Sequence, residues 1–265
     1  MHFAALTIFP ELIAAFRDSG IMRRAVESGA VTLQAINIRD YALDRHHTTD
    51  DRPYGGGCGM VMKPEPLAAA IRAAKAKLPE APVILLSPQG ERFDQPMARQ
   101  FAAHQAMILV CGRYEGVDER ISEQWVEAEL SIGDFVLTGG EVAAMAVMDA
   151  VTRLLPGVLG NADSAEQDSF GANRLDCAHY TRPPEFEGRP VPGVLQSGHH
   201  DRIRRWRLTD ALMRTLVRRP DLLHQGALKN EEAALLRAWY GEIERIIQMP
   251  GGGGPDPSPG DGQER

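Results

Sequence analysis

From His2 onward, short apolar runs alternate with stretches in which apolar residues recur at helical spacing. Runs bounded by turn residues read as strands, and the longer periodic stretches between them as helices. The pattern predicts strands over His2–Ile8, Val31–Ile38, Val83–Leu86, Met107–Cys111 and Ala128–Ile132. It predicts helices over Ile21–Ser28, Glu65–Lys77, Gln95–His104 and Gly140–Leu155. The last of these carries Val142, Met145, Ala146, Met148, Asp149 and Val151, giving one apolar face built largely from small residues. This alternation predicts an α/β domain on a largely parallel sheet.

Pro156-Gly157 closes that helix. The stretch from Val158 to Pro184 is rich in Asp, Ser, Asn and Gly and has no clear period, so residues 161–178 are expected to form a flexible interdomain linker. Residues 179–249 are expected to form a small helical domain. Thr209 is read there as an N-cap with Asp210 in the first turn, and Leu212, Met213, Leu216 and Val217 as the buried side. Pro220 stops this helix. A final one starts at Asn230, with Glu231 and Glu232 favourable at its N-terminal dipole. Residues 250–265, rich in Gly, Pro and Asp, are expected to be disordered.

Composition narrows the classes. No apolar run is long enough to suggest a membrane span. The first residues lack the basic-then-apolar pattern of a signal peptide. The three cysteines, Cys58, Cys111 and Cys177, include no Cys-x-x-Cys pair, which fits a reducing compartment and argues against a disulfide framework or structural zinc. The net formal charge of −7 argues mildly against a nucleic-acid partner. Charge is unevenly spread, however. Arg202, Arg204, Arg205, Arg207, Arg214, Arg218 and Arg219 are opposed locally only by Asp201 and Asp210, and a basic face of this kind can hold phosphates.

Three Gly-rich turns each follow a short apolar run: Leu86-Ser87-Pro88-Gln89-Gly90, Cys111-Gly112-Arg113-Tyr114-Glu115-Gly116, and Ser131-Ile132-Gly133-Asp134-Phe135-Val136-Leu137-Thr138-Gly139-Gly140. Ligands of open α/β sheets bind beyond the carboxyl ends of strands, and glycine there lets backbone approach them. One such turn is ordinary turn chemistry; three in succession favour a shared ligand site. No Gly-x-Gly-x-x-Gly, P-loop or Gly-x-Ser-x-Gly motif is present. Spacing therefore points to a nucleoside-like ligand without choosing one.

A wider set of motifs does choose. Arg52-Pro53-Tyr54-Gly55-Gly56-Gly57-Cys58-Gly59-Met60, the three turns above, Glu141 after the third, Pro156-Gly157-Val158-Leu159-Gly160, Asp168-Ser169-Phe170, His179-Tyr180-Thr181-Arg182-Pro183 and Ser197-Gly198-His199-His200 resemble, in order, the motif set of the bacterial TrmD family of tRNA (guanine-N1)-methyltransferases. Cys58 stands where that family usually carries proline. The resemblance implies a SPOUT-class domain over residues 1–160, with a parallel sheet and a deep trefoil knot, followed by a small α-helical, tRNA-binding C-terminal domain. It implies a cytoplasmic homodimer with active sites at the subunit interface. It implies S-adenosyl-L-methionine as cofactor, a Mg²⁺ requirement, and tRNA as partner, methylated on the guanine immediately 3′ of the anticodon.

The same resemblance makes Asp168 the general base and Arg153 the cation beside the reacting guanine. The cofactor would be bound by Leu86, Ser87, Pro88, Gly112, Tyr114, Glu115, Gly116, Ser131, Ile132, Gly133, Asp134, Phe135, Val136, Leu137, Gly139 and Gly140, with Asp176 near its methionine end. Arg202, Arg205 and His199 would meet RNA. The metal ligands stay open. Competing readings are a SPOUT methyltransferase for another RNA position and a non-catalytic RNA-binding module. An oxidoreductase lacks its glycine fingerprint.

Overall fold

The computed structural model describes residues 1–160, 168–224 and 226–248. It divides into two compact units, Met1–Gln167 and Asp168–Arg265.

The first unit is built on a five-stranded, all-parallel sheet. Its strands are β1 (His2–Thr7), β2 (Thr32–Asn37), β5 (Val83–Arg92), β6 (Ala106–Cys111) and β7 (Ala128–Ser131), in the spatial order β2-β1-β6-β5-β7. Two-residue strands β3 (Asp50–Asp51) and β4 (Val61–Met62) form a separate antiparallel pair. Helices α1 (Pro10–Arg17), α2 (Gly20–Glu27), α3 (Pro64–Lys77), α4 (Gln95–Ala102), α5 (Glu119–Trp125) and α6 (Glu141–Thr152) cover the sheet. Side chains alternate faces along a strand. Phe3, Ala5, Ile84, Leu86, Met107, Leu109 and Cys111 enter one core with Ile13, Met22, Ala98 and Val147. Ala4, Leu6, Val83, Leu85, Ile108 and Val110 enter the other with Leu67, Ile71 and Ile121. Burial on both faces is why these strands read as unbroken apolar runs.

All five main strands fall where periodicity puts them, within one or two residues, except that β5 runs on from Leu86 to Arg92. Leu130 of β7 pairs with both Leu86 and Glu91, so Ser87–Gly90 bulge out of register. Helices α1 and α5 were not expected. Pro10 starts α1, where its fixed φ and missing N–H cost nothing. In α6 the buried side is Glu141, Ala143, Ala144, Val147, Met148, Val151 and Thr152. Val142 and Ala146 are exposed, whereas half-buried Met145 packs against the core, so two of the six residues of the expected apolar face are exposed.

In the second unit, short strands β8 (Glu185–Phe186) and β9 (Arg189–Pro190) form a hairpin before α7 (Gly193–Gln196), α8 (His200–Arg218), α9 (Pro220–His224) and α10 (Asn230–Gln248). Thr209 is not an N-cap. It lies mid-helix in α8, where its hydroxyl donates to the Arg205 carbonyl at 2.8 Å, and His199 takes the cap position. A Thr-Asp pair marks a helix start only when the preceding residues leave the helix, and here arginine-rich residues continue it. Leu212 is buried, whereas Met213, Leu216 and Val217 are exposed. Residues 168–178, read as the second half of a linker, sit in the second unit: Leu175 N–H donates to Thr215 Oγ1 (3.0 Å) and Ala178 N–H to Asp210 Oδ2 (2.6 Å). Residues 161–167, the first half, and the expected disordered tail lie outside the described residues.

Candidate active site

The carboxyl ends of β5, β6 and β7 open into one cleft of about 340 Å³. Its walls are the three Gly-rich turns. The first wall is the β5 bulge. A Cβ at Gly90 would strike the Glu129 carbonyl carbon and the Leu130 nitrogen, so only glycine lets the bulge close onto β7. The second wall follows β6, where Tyr114 (φ 62°) and Gly116 (φ 128°) turn the chain through left-handed backbone. The turn is pinned from outside: Glu115 N–H donates to the Met60 carbonyl and Met62 N–H to the Gly116 carbonyl, both at 2.9 Å. The third wall follows β7, and Ser131 Oγ donates to the Gly133 carbonyl at 3.0 Å.

The second and third walls meet at glycines. Gly140 N–H donates to the Gly112 carbonyl at 2.8 Å. A Cβ on Gly140 would lie 2.8 Å from Cys111 Cα, closer than side chains tolerate, whereas one on Gly112 would find its nearest neighbour at 3.7 Å. Of the two glycines, only Gly140 is sterically required.

Of the residues expected at a donor site, Leu86, Ser87, Pro88, Gly112, Tyr114, Glu115, Gly116, Ser131, Ile132, Gly133, Phe135, Val136, Leu137, Gly139 and Gly140 line this cleft. Asp134 does not line it and is exposed. Asp176 belongs to the second unit. Arg113, Gln89, Val117 and Thr138 line the cleft but were not singled out. Arg113 stood between two recognised glycines, which was the available signal.

Arg113 is anchored. Its Nε and an Nη each lie 3.0 Å from Glu141 Oε2. Glu141 is 1% exposed, and its Oε1 accepts from Thr7 Oγ1 at 2.7 Å. Thr7 Oγ1 in turn accepts from Phe9 N–H at 2.9 Å, and the Arg113 guanidinium covers the Phe9 ring at 4.3 Å. Burial first, and then the Glu141 charge, push the adjacent Cys111 thiol well up, so it stays a neutral packing group. Burial and the nearby Asp50 carboxylate raise the Tyr114 phenol.

Arg153 is the C-cap residue of α6, its N–H donating to the Asp149 carbonyl at 3.0 Å. Asp168 opens the second unit in a tight turn: its carbonyl accepts from Gly171 N–H at 3.0 Å, and Phe170 (φ 69°) and Asn173 (φ 52°) supply the left-handed backbone. Asp176 Oδ2 lies 2.7 Å from His179 Nε2. Burial tends to raise the Asp176 carboxyl, but bonds from His179 and from Cys177 N–H outweigh it and hold it below the usual carboxylate range. His199, Arg202 and Arg205 are exposed at the start of α8 and, three residues apart, share one helix face. Arg204, Arg214 and Arg219 are instead paired with Glu231, Asp210 and Asp221.

A doubly covered parallel sheet with a nucleoside-sized cleft at its carboxyl edge defines a ligand-binding α/β protein. Comparison with known proteins narrows this. The model of the family described as tRNA (Guanine-1)-methyltransferase TrmD matches residues 1–225, and the chain belongs to that family. It is 54% identical over 256 residues to the tRNA (guanine-N(1)-)-methyltransferase of Desulfatibacillum aliphaticivorans, covering 97% of this chain and 98% of that protein. It is 56% identical over 232 residues to the protein of the same name from Geobacter sulfurreducens, covering 88% and 95%. The crystal structure of tRNA (m1G37) methyltransferase from Aquifex aeolicus is similar with a TM-score of 0.70 at 38% identity, covering 85% of this chain and 95% of that one.

Proposed function

We propose that this protein methylates N1 of the guanine immediately 3′ of the anticodon in tRNA, with S-adenosyl-L-methionine as donor, as a cytoplasmic homodimer. The observation that carries the reading is the cleft whose three walls are the three Gly-rich turns. The cleft suits the donor: it offers backbone polar groups of Gly112–Gly116 and Ser131–Gly140 for an adenine edge and ribose, apolar Leu86, Ile132 and Leu137 for a flat base, and a glycine seam that a Cβ at Gly140 would fill. When bound there, the donor supplies an electrophilic methyl group.

The chain's own residues supply the rest. Neutral guanine keeps a proton on N1, and Asp168 accepts it as general base. Arg153 offsets charge building on O6, a contribution of roughly 10²–10³ in rate for one preorganised donor. His199, Arg202 and Arg205 hold phosphates. Loop bases are partly unstacked, which lowers the cost of presenting the guanine.

The dimer reading is supported by apolar side chains that the single chain leaves open around the cleft: Phe135, Val136 and Leu137 in its third wall and Val142 on α6. Each site would take Asp168 from the opposite subunit. The knot reading is supported by residues 139 and 140 lying across the end of β6. No described helix is long and apolar enough to cross a membrane. The Mg²⁺ requirement rests on family resemblance. Among the described residues the grouping with ligand atoms in reach is Asp176, Cys177 and His179, within 4.8 Å of one another, and thiol plus imidazole suits a softer cation. No step is assigned to the metal.

The test is incubation with labelled S-adenosyl-L-methionine and unmodified tRNA transcripts, followed by digestion and nucleoside identification. 1-Methylguanosine at the position 3′ of the anticodon is expected. Label at another nucleoside, or none, overturns the proposal.

A further inference from the structure

We propose that Arg113 and Glu141 are positioning residues for the donor cleft, their ion pair setting the separation of its second and third walls; this rests on the methyl-donor reading above. Three chain segments that end at the carboxyl edge of the sheet converge on the pair. Thr7 is the last residue of β1, Arg113 lies two residues past β6, and Glu141 is the first residue of α6. Both oxygens of the carboxylate are used, Oε1 by Thr7 and Oε2 by two nitrogens of Arg113.

A carboxylate at a helix start gains from the dipole in any setting, and that would explain an exposed Glu141. It does not explain an acid that is 1% exposed, whose burial is costly unless a partner meets it in good geometry. The partner is itself a cleft-lining residue. On the way to Glu141, the Arg113 side chain crosses Gly139, where a Cβ would collide with its Nε, and the backbones of Arg113 and Gly139 are bridged. Gly139 and Gly140 are thereby held against Gly112 and Arg113. The planar guanidinium lies on Phe9 and forks onto one carboxylate oxygen, and a lysine ammonium cannot do both. Losing the pair would let the Gly139-Gly140 turn shift relative to the Gly112 turn, and both turns line the cleft that would hold the donor.

The test is calorimetric titration of the full-length protein with S-adenosyl-L-methionine, alongside tRNA binding and thermal unfolding. Arg113→Lys keeps the charge facing Glu141, so the variant folds. Its donor Kd should rise on the order of ten-fold, the equivalent of a lost charged hydrogen bond, while tRNA affinity stays within about three-fold. Arg113→Met combined with Glu141→Met removes both charges and should recover thermal stability, because no buried charge is left alone. Donor affinity should stay weakened in this pair. Recovery of both stability and donor affinity would show a purely structural role and overturn the proposal, as would wild-type donor affinity in Arg113→Lys. A wild-type protein that binds no S-adenosyl-L-methionine would overturn the donor reading and this inference together. Normal wild-type binding with unaffected variants overturns the inference alone.

Discussion

The two units are stabilised by different means. The first buries long apolar side chains on both faces of its sheet, among them Phe3, Leu6, Met107, Ile108 and Leu109, each no more than 1% exposed. The second has few buried apolar side chains among its described residues: Cys177, Ala211, Leu212 and Leu222. Its irregular segments are held by polar groups instead. Glu232, 6% exposed, accepts from Arg174 Nη1 at 2.6 Å and Lys229 N–H at 2.8 Å, and buried Thr215 accepts from Leu175 N–H. Apolar burial is non-directional and tolerates local adjustment; a polar hub depends on each partner. The sheet thus carries the cleft, and a thinner scaffold carries Asp168 and the exposed face of His199, Arg202 and Arg205.

If that division holds, the largest effect belongs to chemistry placed on the thinner unit. Asp168→Asn keeps size and hydrogen-bonding capacity but cannot take the N1 proton. Single-turnover methyl transfer should fall roughly 10²–10⁴-fold while donor and tRNA affinities stay within about three-fold. A near-normal rate would remove Asp168 as the base and leave Asp176 or Glu115 as the next candidates.

The core contrast comes next. Leu109→Ala in central strand β6 should cost about 2–5 kcal/mol. Hydrogen exchange should show the loss across residues 1–160, with α8 and α10 retaining wild-type protection. Equal loss in both units would mean they unfold as one, and the contrast would fail.

The polar hub is tested by Glu232→Ala, which leaves Arg174 and the Lys229 N–H without this acceptor. The expected cost is about 1–3 kcal/mol, read as faster exchange confined to the second unit. Unchanged exchange there would show that the few apolar side chains suffice.

Smaller still are the surface charges. Arg202→Ala and Arg205→Ala should each weaken tRNA binding and reduce the slope of log K against log salt by about 0.7–0.9 for each phosphate no longer neutralised. An unchanged slope would make this face simply solvated.

The smallest effect is a pH dependence. Asp176 has a carboxyl held lower in the folded state than in the unfolded one. Its contribution is therefore fully present above about pH 4, the unfolded range, and is lost as pH falls through the lower folded value. Melting curves below pH 4 should lose part of their acid sensitivity in Asp176→Asn. Identical acid limbs would refute the assignment.

Much of this was legible along the chain. The five main strands and helices α2, α3, α4 and α6 follow from apolar period, because a sheet buried on both faces leaves unbroken apolar runs. A cleft shared by the three glycine turns was legible because they follow three strands. The reading failed where the signal is short or double in meaning. Pro10 suits a helix start as well as a strand end, α5 holds seven residues, and Thr209-Asp210 is a capping pair inside a longer helix. Arg113 and Glu141 could be read as surface charges, since spacing of 28 residues carries no hint of contact.

The sequence by itself determined the alternation of strands and helices, the family to which the ordered motifs point, and the glycine-rich turns from which a ligand site could be built. Only the tertiary structure decided that residues 87–89, 112–116, 131–133 and 135–140 line one cleft, that Asp134 does not line it, and that Thr7, Arg113 and Glu141 meet. The physical reason is the sheet order. Placing β6 between β1 and β5, and β5 beside β7, brings together strand ends far apart along the chain, and period and propensity, being local, carry no record of that neighbourhood.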